Sequence, residues 1–388
     1  MGKAFADAFP TADNVFQEAS DALGIDMRKL CFSGSNEELA RTENTQPALV
    51  TVSVAQARVS SEIDGMTPAV IAGHSLGEIT ALTLAGAIDF ADAVRLARQR
   101  GELMTIAVPK GQSLMLAVRT RDHDTVQQLC SEIAEETLEI LQISNHNSNS
   151  QVVVSGHKQS VLRLHERIEA LGIQSTPLNV SAPFHCGLMQ DVQAPLRDML
   201  DSMTFNELQV PVLSNATGEL YGSSADIPEL LTRQVVEPVQ WIRNQRWMRM
   251  NGITFGVEFG PGRTLTGLMR HTFGEIPTFA YDVPKDRERL TTYLDRITVP
   301  VLARALGIAV ATRNKNHDPA EYQELVVQPY KELETLSRQV DRENRAASDD
   351  EVGQGRQLLL QILRGKRVDE AEIKERFEQL ARDSRLAS

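Results

Sequence analysis

Apolar and polar positions divide the chain into stretches of three textures. Residues 1 to about 110 alternate between helical periodicity and one short apolar run. A helix is predicted almost at once, from Phe5 to Leu23, with Thr11 and Asp13 as candidate caps. Pro68-Ala69-Val70-Ile71-Ala72 reads as a buried strand. Ile79 to Ala85, rich in helix formers and closed by Gly86, reads as the helix that follows it. Between about 111 and 179 the texture changes. Leu114 to Val118, Leu138 to Ser144, Gln151 to Ser155 and Ile173 to Val180 read as strands, and Asp124 to Glu136 and His157 to Leu171 as helices. That βαββαβ order is the ferredoxin-like pattern, here set inside a larger α/β unit, with Asn145-His146-Asn147-Ser148-Asn149 as the loop of a strand pair.

The larger unit resumes near residue 180, with strands at Val210 to Ser214 and Thr254 to Phe259. The second runs into Gly260-Pro261-Gly262, a turn that opens a helix. From about 318 the sequence is charged and helical. Tyr322 to Asn344 carries a thin apolar stripe (Val326, Leu333, Leu336, Val340), Ser348 to Glu351 breaks it, and Leu358 to Leu363 and Val368 to Leu380 suggest two more helices. The expected organisation is a large domain over 1–110 and 180–300, a small inserted domain over 111–179, and a helical extension over 318–388.

Composition narrows the options. A net charge of −12 and a chain of 388 residues argue against nucleic acid as the main partner, without forbidding an anionic substrate received by a local arginine. No apolar run is long enough to cross a bilayer, so no membrane partner is expected. Cys31, Cys130 and Cys186 lack metal-type spacing, which points to a reduced, cytoplasmic setting and to no metal site.

The chemistry centres on Gly73-His74-Ser75-Leu76-Gly77-Glu78, between the strand and the helix. A serine between two glycines at a strand-to-helix turn is the context of a nucleophile elbow. The helix N-terminus and the Leu76 amide then favour negative charge on a reacting carbonyl oxygen. Ser75 needs a base. His74 is adjacent but points elsewhere across the turn. His185, in Ser181-Ala182-Pro183-Phe184-His185-Cys186 after a predicted strand, is the best candidate, against the alternative of an exposed loop histidine; His146 is the weaker rival. A helix started at Asp89 brings Ala93, Leu96, Ala97 and Met104 to one face, with Arg100 in their midst and Arg95 and Arg98 opposite. A guanidinium there either pairs with a protein carboxylate or receives an anionic ligand.

These motifs, with Thr45-Gln46-Pro47-Ala48-Leu49, Gln99-Arg100-Gly101, Arg233-Gln234 and Glu237-Pro238-Val239-Gln240-Trp241, resemble the malonyl-CoA:acyl carrier protein transacylases over roughly residues 1 to 285. The resemblance implies an α/β-hydrolase-like large domain with an inserted ferredoxin-like domain. It implies malonyl-CoA and an acyl carrier protein as partners, and no cofactor beyond the CoA substrate. Ser75 would carry the malonyl ester and His185 act as base and acid, with Gln234 orienting His185 through a carbonyl. Leu76 would supply an oxyanion amide, Arg100 clamp the free carboxylate, and Gln46 belong to the substrate site. Phe184 matches the bulky residue of malonyl-selective members, leaving little room for a 2-methyl branch. The extension from 318 is expected to lie outside the resemblance.

One departure stands out. Family members open with a strand ending in a Gly-Gln-Gly-Ser-Gln loop whose glutamine supplies a second oxyanion amide. This chain lacks it, and Met1-Gly2-Lys3 resembles the segment just downstream, so its start reads as short. Loss of one such donor costs about 10²–10³ in rate. The rival expectations are a serine esterase or thioesterase built on the same elbow, and a catalytically impaired subunit that binds the carrier protein.

Overall fold

The computed structural model describes residues 1–180, 182–343, 345 and 347–384. Ser181 of the predicted histidine loop and Asn344 at the end of the predicted tail helix lie outside the described residues. The chain forms two compact units, one of residues 1–60 with 68–287 and one of 61–67 with 288–388.

The first unit mixes helices with three small sheets. The opening helix is two helices, Lys3–Ala8 and Pro10–Leu23, with Phe9 extended between them. Pro10 sits in the first turn of the second, where its missing N–H costs nothing, so neither Thr11 nor Asp13 is the cap. Three expected strands appear in shortened form within two parallel pairs: β1 (Ile71–Ala72) beside β6 (Val212–Leu213), and β7 (Gly256–Glu258) beside β8 (Thr278–Ala280), a strand that the sequence reading did not give.

The third sheet is antiparallel, built from β2 (Ser113–Arg119), β3 (Leu141–Ser148), β4 (Gln151–His157) and β5 (Gln174–Leu178) in the order β3-β4-β2-β5. Helices His123–Thr137 and Lys158–Ala170 cover one of its faces. They bury Val126, Ile133, Leu164 and Ile168 against Leu116, Val118, Val152 and Val154. The predicted Asn145–Asn149 loop is largely strand: β3 runs on to Ser148, with irregularities between Ile143 and Asn145 and between His146 and Ser148. These polar residues stay in the sheet because distant groups satisfy them. Asn147, for instance, meets both His74 and Gln151.

The second unit has helices as its only regular structure among the described residues after 288. Helices Val301–Ala311, Gln328–Arg342, Asp349–Gly365 and Glu370–Ser384 share a core of Leu302, Ile308, Leu333, Leu359, Ile362 and Leu380. It starts upstream of the expected residue 318 because Leu302, Ala305, Ile308 and Ala309 contribute to that core. Ser348 and Glu351, read as a break, form a reciprocal cap on Asp349–Gly365. Lys366 is 6 % exposed and donates to the carbonyls of Ala309 (2.5 Å) and Thr312 (2.8 Å), closing the last turn of Val301–Ala311. Lys366→Met keeps the apolar stem but leaves both carbonyls without that donor. It is expected to cost about 1–3 kcal/mol, read as a lower denaturant midpoint.

Candidate active site

The backbone turns sharply where β1 gives way to helix Leu76–Leu84, and the first glycine makes the turn possible. A Cβ on Gly73 would stand 1.8 Å from the carbonyl oxygen of Gly77. The second glycine is different: a Cβ on Gly77 meets nothing within 4 Å, so the close approach requires glycine at 73 and not at 77. Gly73→Ala is therefore expected to cost about 3 kcal/mol or more and to abolish Ser75 reactivity, while Gly77→Ala stays folded. Thermal denaturation and labelling with a serine-directed phosphonate read both.

Ser75 carries the strain of the turn, at φ 53° and ψ −110°. A residue with a side chain adopts such angles only where its surroundings over-determine them. Asn215 does this here. Its Oδ1 accepts from the Ser75 amide at 2.5 Å and its Nδ2 donates to Gly73 O at 2.7 Å. Leu76 is the first residue of the helix, so its N–H belongs to the set with no intrahelical acceptor.

The Ser75 hydroxyl lies 2.6 Å from Nε2 of His185, which is 2 % exposed and also at positive φ, 60°. Nδ1 of His185 lies 2.6 Å from the backbone carbonyl of Gln234. A carbonyl only accepts, so Nδ1 bears the proton and Nε2 is left to receive the serine proton. Burial, and then the nearby Arg100 charge, push His185 down to about 3, so the ring is neutral at physiological pH.

Arg100 lies on the buried face of helix Phe90–Ile106, as the 3.6-residue winding requires, and Arg95 is exposed. Its Nη1 donates to Gln46 Oε1 at 2.8 Å; its Nη2 donates to Gln234 Oε1 at 2.9 Å and reaches Ser75 Oγ at 3.3 Å. These acceptors are neutral. The one carboxylate that acts on it, Glu78, does so at longer range with Gln234 between them, so the guanidinium makes no direct ion pair among the described residues. Phe184 is half-buried, its ring centroid 6.5 Å from that of His185. The sequence-predicted residues Ser75, Leu76, His185, Gln234, Arg100, Gln46 and Phe184 thus come together. His74 turns away to Asn147 at 2.8 Å and packs edge-on against Trp241, and His146 lies beside His123 instead.

Three residues escaped the sequence reading. Glu78 is fully buried and accepts from Tyr221 Oη at 2.6 Å, from Gln234 Nε2 at 2.6 Å and from the Asn215 amide at 3.1 Å. A signal existed for it: a carboxylate three residues past the serine, the one charged residue of the helix Leu76–Leu84. Asn215 and Tyr221 follow the two-residue β6 in irregular backbone, where periodicity says nothing.

Comparison with known proteins agrees with this geometry. The acyl transferase domain family matches residues 1–286. The malonyl CoA-acyl carrier protein transacylase of Escherichia coli K12 is 41% identical over 280 residues, covering 72% of this chain and 90% of its own. A transacylase of the same name from Bacillus subtilis is 33% identical over 374 residues, 95% of this chain and 93% of its own. That match runs into the helical extension, which therefore has a counterpart in a relative, contrary to expectation. A malonyl-transacylase solved in complex with its type II PKS acyl-carrier protein superposes with a TM-score of 0.71 at 38% identity, covering 75% of this chain and 93% of that one. With so much length shared, the chain belongs to the malonyl CoA-acyl carrier protein transacylases of the acyl transferase domain family.

Proposed function

We propose that this protein moves a malonyl group from malonyl-CoA to the phosphopantetheine thiol of an acyl carrier protein, through an ester on Ser75. The observation that carries the reading is the convergence of a neutral His185 and the Arg100 guanidinium, which has no direct carboxylate partner among the described residues, within hydrogen-bond reach of the Ser75 hydroxyl. His185 Nε2 takes the Ser75 proton as Oγ attacks the thioester carbon. The Leu76 amide and the helix N-terminus receive the oxyanion. The C–S bond breaks, His185 returns the proton to the departing sulfur, and CoA leaves as the thiol. The carrier thiol then gives its proton to His185, attacks the ester and restores the serine hydroxyl. Arg100, held by Gln46 and Gln234, pairs with the free carboxylate throughout. The cycle is ping-pong and calls on no resident cofactor.

A hydrolase would orient its histidine with an acid. Here the Nδ1 partner is the Gln234 carbonyl, which stabilises imidazolium less and suits exchange between thioesters. The segment 111–179 reads as a ferredoxin-like domain inserted in an α/β-hydrolase-like one. The antiparallel order β3-β4-β2-β5, with both crossover helices on one face, supports this. A cytoplasmic location belongs to the same reading, in keeping with three buried, unpaired cysteines.

Intact-mass measurement after mixing with malonyl-CoA is expected to find one malonyl adduct, mapped to Ser75 and discharged by a holo carrier protein. Absence of the adduct sinks the proposal. Phe184→Ala is expected to raise the methylmalonyl:malonyl ratio about tenfold or more, the scale of one methyl's discrimination, read by competition between the two CoA esters.

A further inference from the structure

We propose that Glu78 is a positioning residue for acyl selectivity: by fixing the side-chain amide of Gln234 it keeps Arg100 aimed at the carboxylate of the incoming acyl group. The inference rests on the function proposed above and extends it to a residue whose carboxylate touches neither acyl group nor the Ser75 hydroxyl, its backbone N–H alone meeting Ser75 O at 3.0 Å. Gln234 has one donating and one accepting end. Its Nε2 lies 2.6 Å from Glu78 Oε2 and 2.9 Å from Ser75 O, two acceptors, so its Oε1 must face Arg100, where it lies 2.9 Å from Nη2. Turned over, the amide would set its N–H groups against the guanidinium. An ionised carboxylate only accepts, and this fixes which end of Gln234 it receives. The Tyr221 hydroxyl on Oε1 and the Asn215 amide on Oε2 hold the carboxylate itself.

A carboxylate with no exposed surface is costly unless its charge is answered. Here the answer comes through Gln234: a buried anion on one side of the amide and a buried cation on the other. The groups facing Glu78 are Tyr221, Asn215 and Ser214 after β6, Gln234 from helix Ile227–Gln234, and Arg100 at longer range from helix Phe90–Ile106. Burial lifts Glu78 to about 7, against the pull of Tyr221 and Gln234. The ionised form that holds Gln234 therefore prevails above that pH. Malonyl preference is expected to rise with pH through this range. His185, depressed to about 3, does not titrate there.

The test measures kcat/KM for malonyl-CoA and acetyl-CoA across pH in the full-length enzyme, with Glu78→Gln and Tyr221→Phe. Glu78→Gln is expected to lower the malonyl:acetyl ratio about tenfold and to flatten its pH dependence. Tyr221→Phe removes a donor to the ionised form and is expected to move the midpoint upward. The Nε–H resonance of Arg100, assigned by its loss in Arg100→Lys, should shift or broaden in Glu78→Gln. Malonyl and acetyl rates that fall together, or an Arg100 resonance unchanged by Glu78→Gln, overturn the assignment. If Glu78→Gln does not fold, an unmoved midpoint in Tyr221→Phe overturns it alone. The resonance reads Glu78 even if the parent enzyme forms no malonyl ester, so failure of the two proposals is told apart.

Discussion

Ser75→Ala is expected to lose the malonyl adduct altogether and to lower transfer to the carrier thiol by about 10⁶-fold, the scale seen when a nucleophile that works as a unit with its base is removed. The geometry leaves no substitute. His185 Nε2 has Ser75 Oγ as its close partner at 2.6 Å, and its other nitrogen is committed to Gln234 O. The Thr83 hydroxyl of the same helix is turned onto its own backbone, donating to Ile79 O. The variant should still fold, because the Asn215 bond to the backbone of residue 75 does not involve the hydroxyl. Intact mass and steady-state transfer provide the readout, with circular dichroism as the folding control. Residual transfer within tenfold of the parent would mean that the ester on Ser75 is not on the path.

Arg100→Ala is expected to lower kcat/KM for malonyl-CoA by about 10²–10³-fold while acetyl transfer holds or rises. The loss follows from leaving the malonyl carboxylate buried and unpaired, worth about 3–4 kcal/mol. The asymmetry has its own cause. Burial is the larger force depressing His185 and the Arg100 charge the second, so removing the guanidinium lets the histidine become more basic. An acetyl thioester, with no carboxylate to lose, gains from that change. Competition between the two CoA esters reads the ratio directly, and retained acetylation of Ser75 certifies the fold. Equal losses for both esters would remove the clamp role from Arg100.

What the sequence made legible was whatever a local rule governs. Arg100 was readable because Ala93, Leu96, Ala97 and Met104 mark a buried face and 3.6 residues per turn put the arginine among them. The elbow was readable from its strand, serine and helix. The rest depends on partners far away along the chain. Asn145 to Ser148 look like a loop because the groups that satisfy them, such as His74 and Gln245, come from elsewhere. The side chain of Gln234 bridges Arg100 and Glu78 across 134 and 156 positions. No periodicity reports such a link. β1 and β6 are two residues each, too short for a pattern.

The division of the chain has a practical bearing on how it can be cut. Residues 61–67 belong with the helical unit, yet Pro68 begins the approach to β1 and to Ser75 three residues beyond that strand. The polypeptide visits its second half early and comes back. A shortened form ending at 287 would therefore strand seven residues just ahead of the strand that leads to Ser75, stripped of the neighbours they fold with. Trimming the carboxyl end is a perturbation of the amino-terminal half as well.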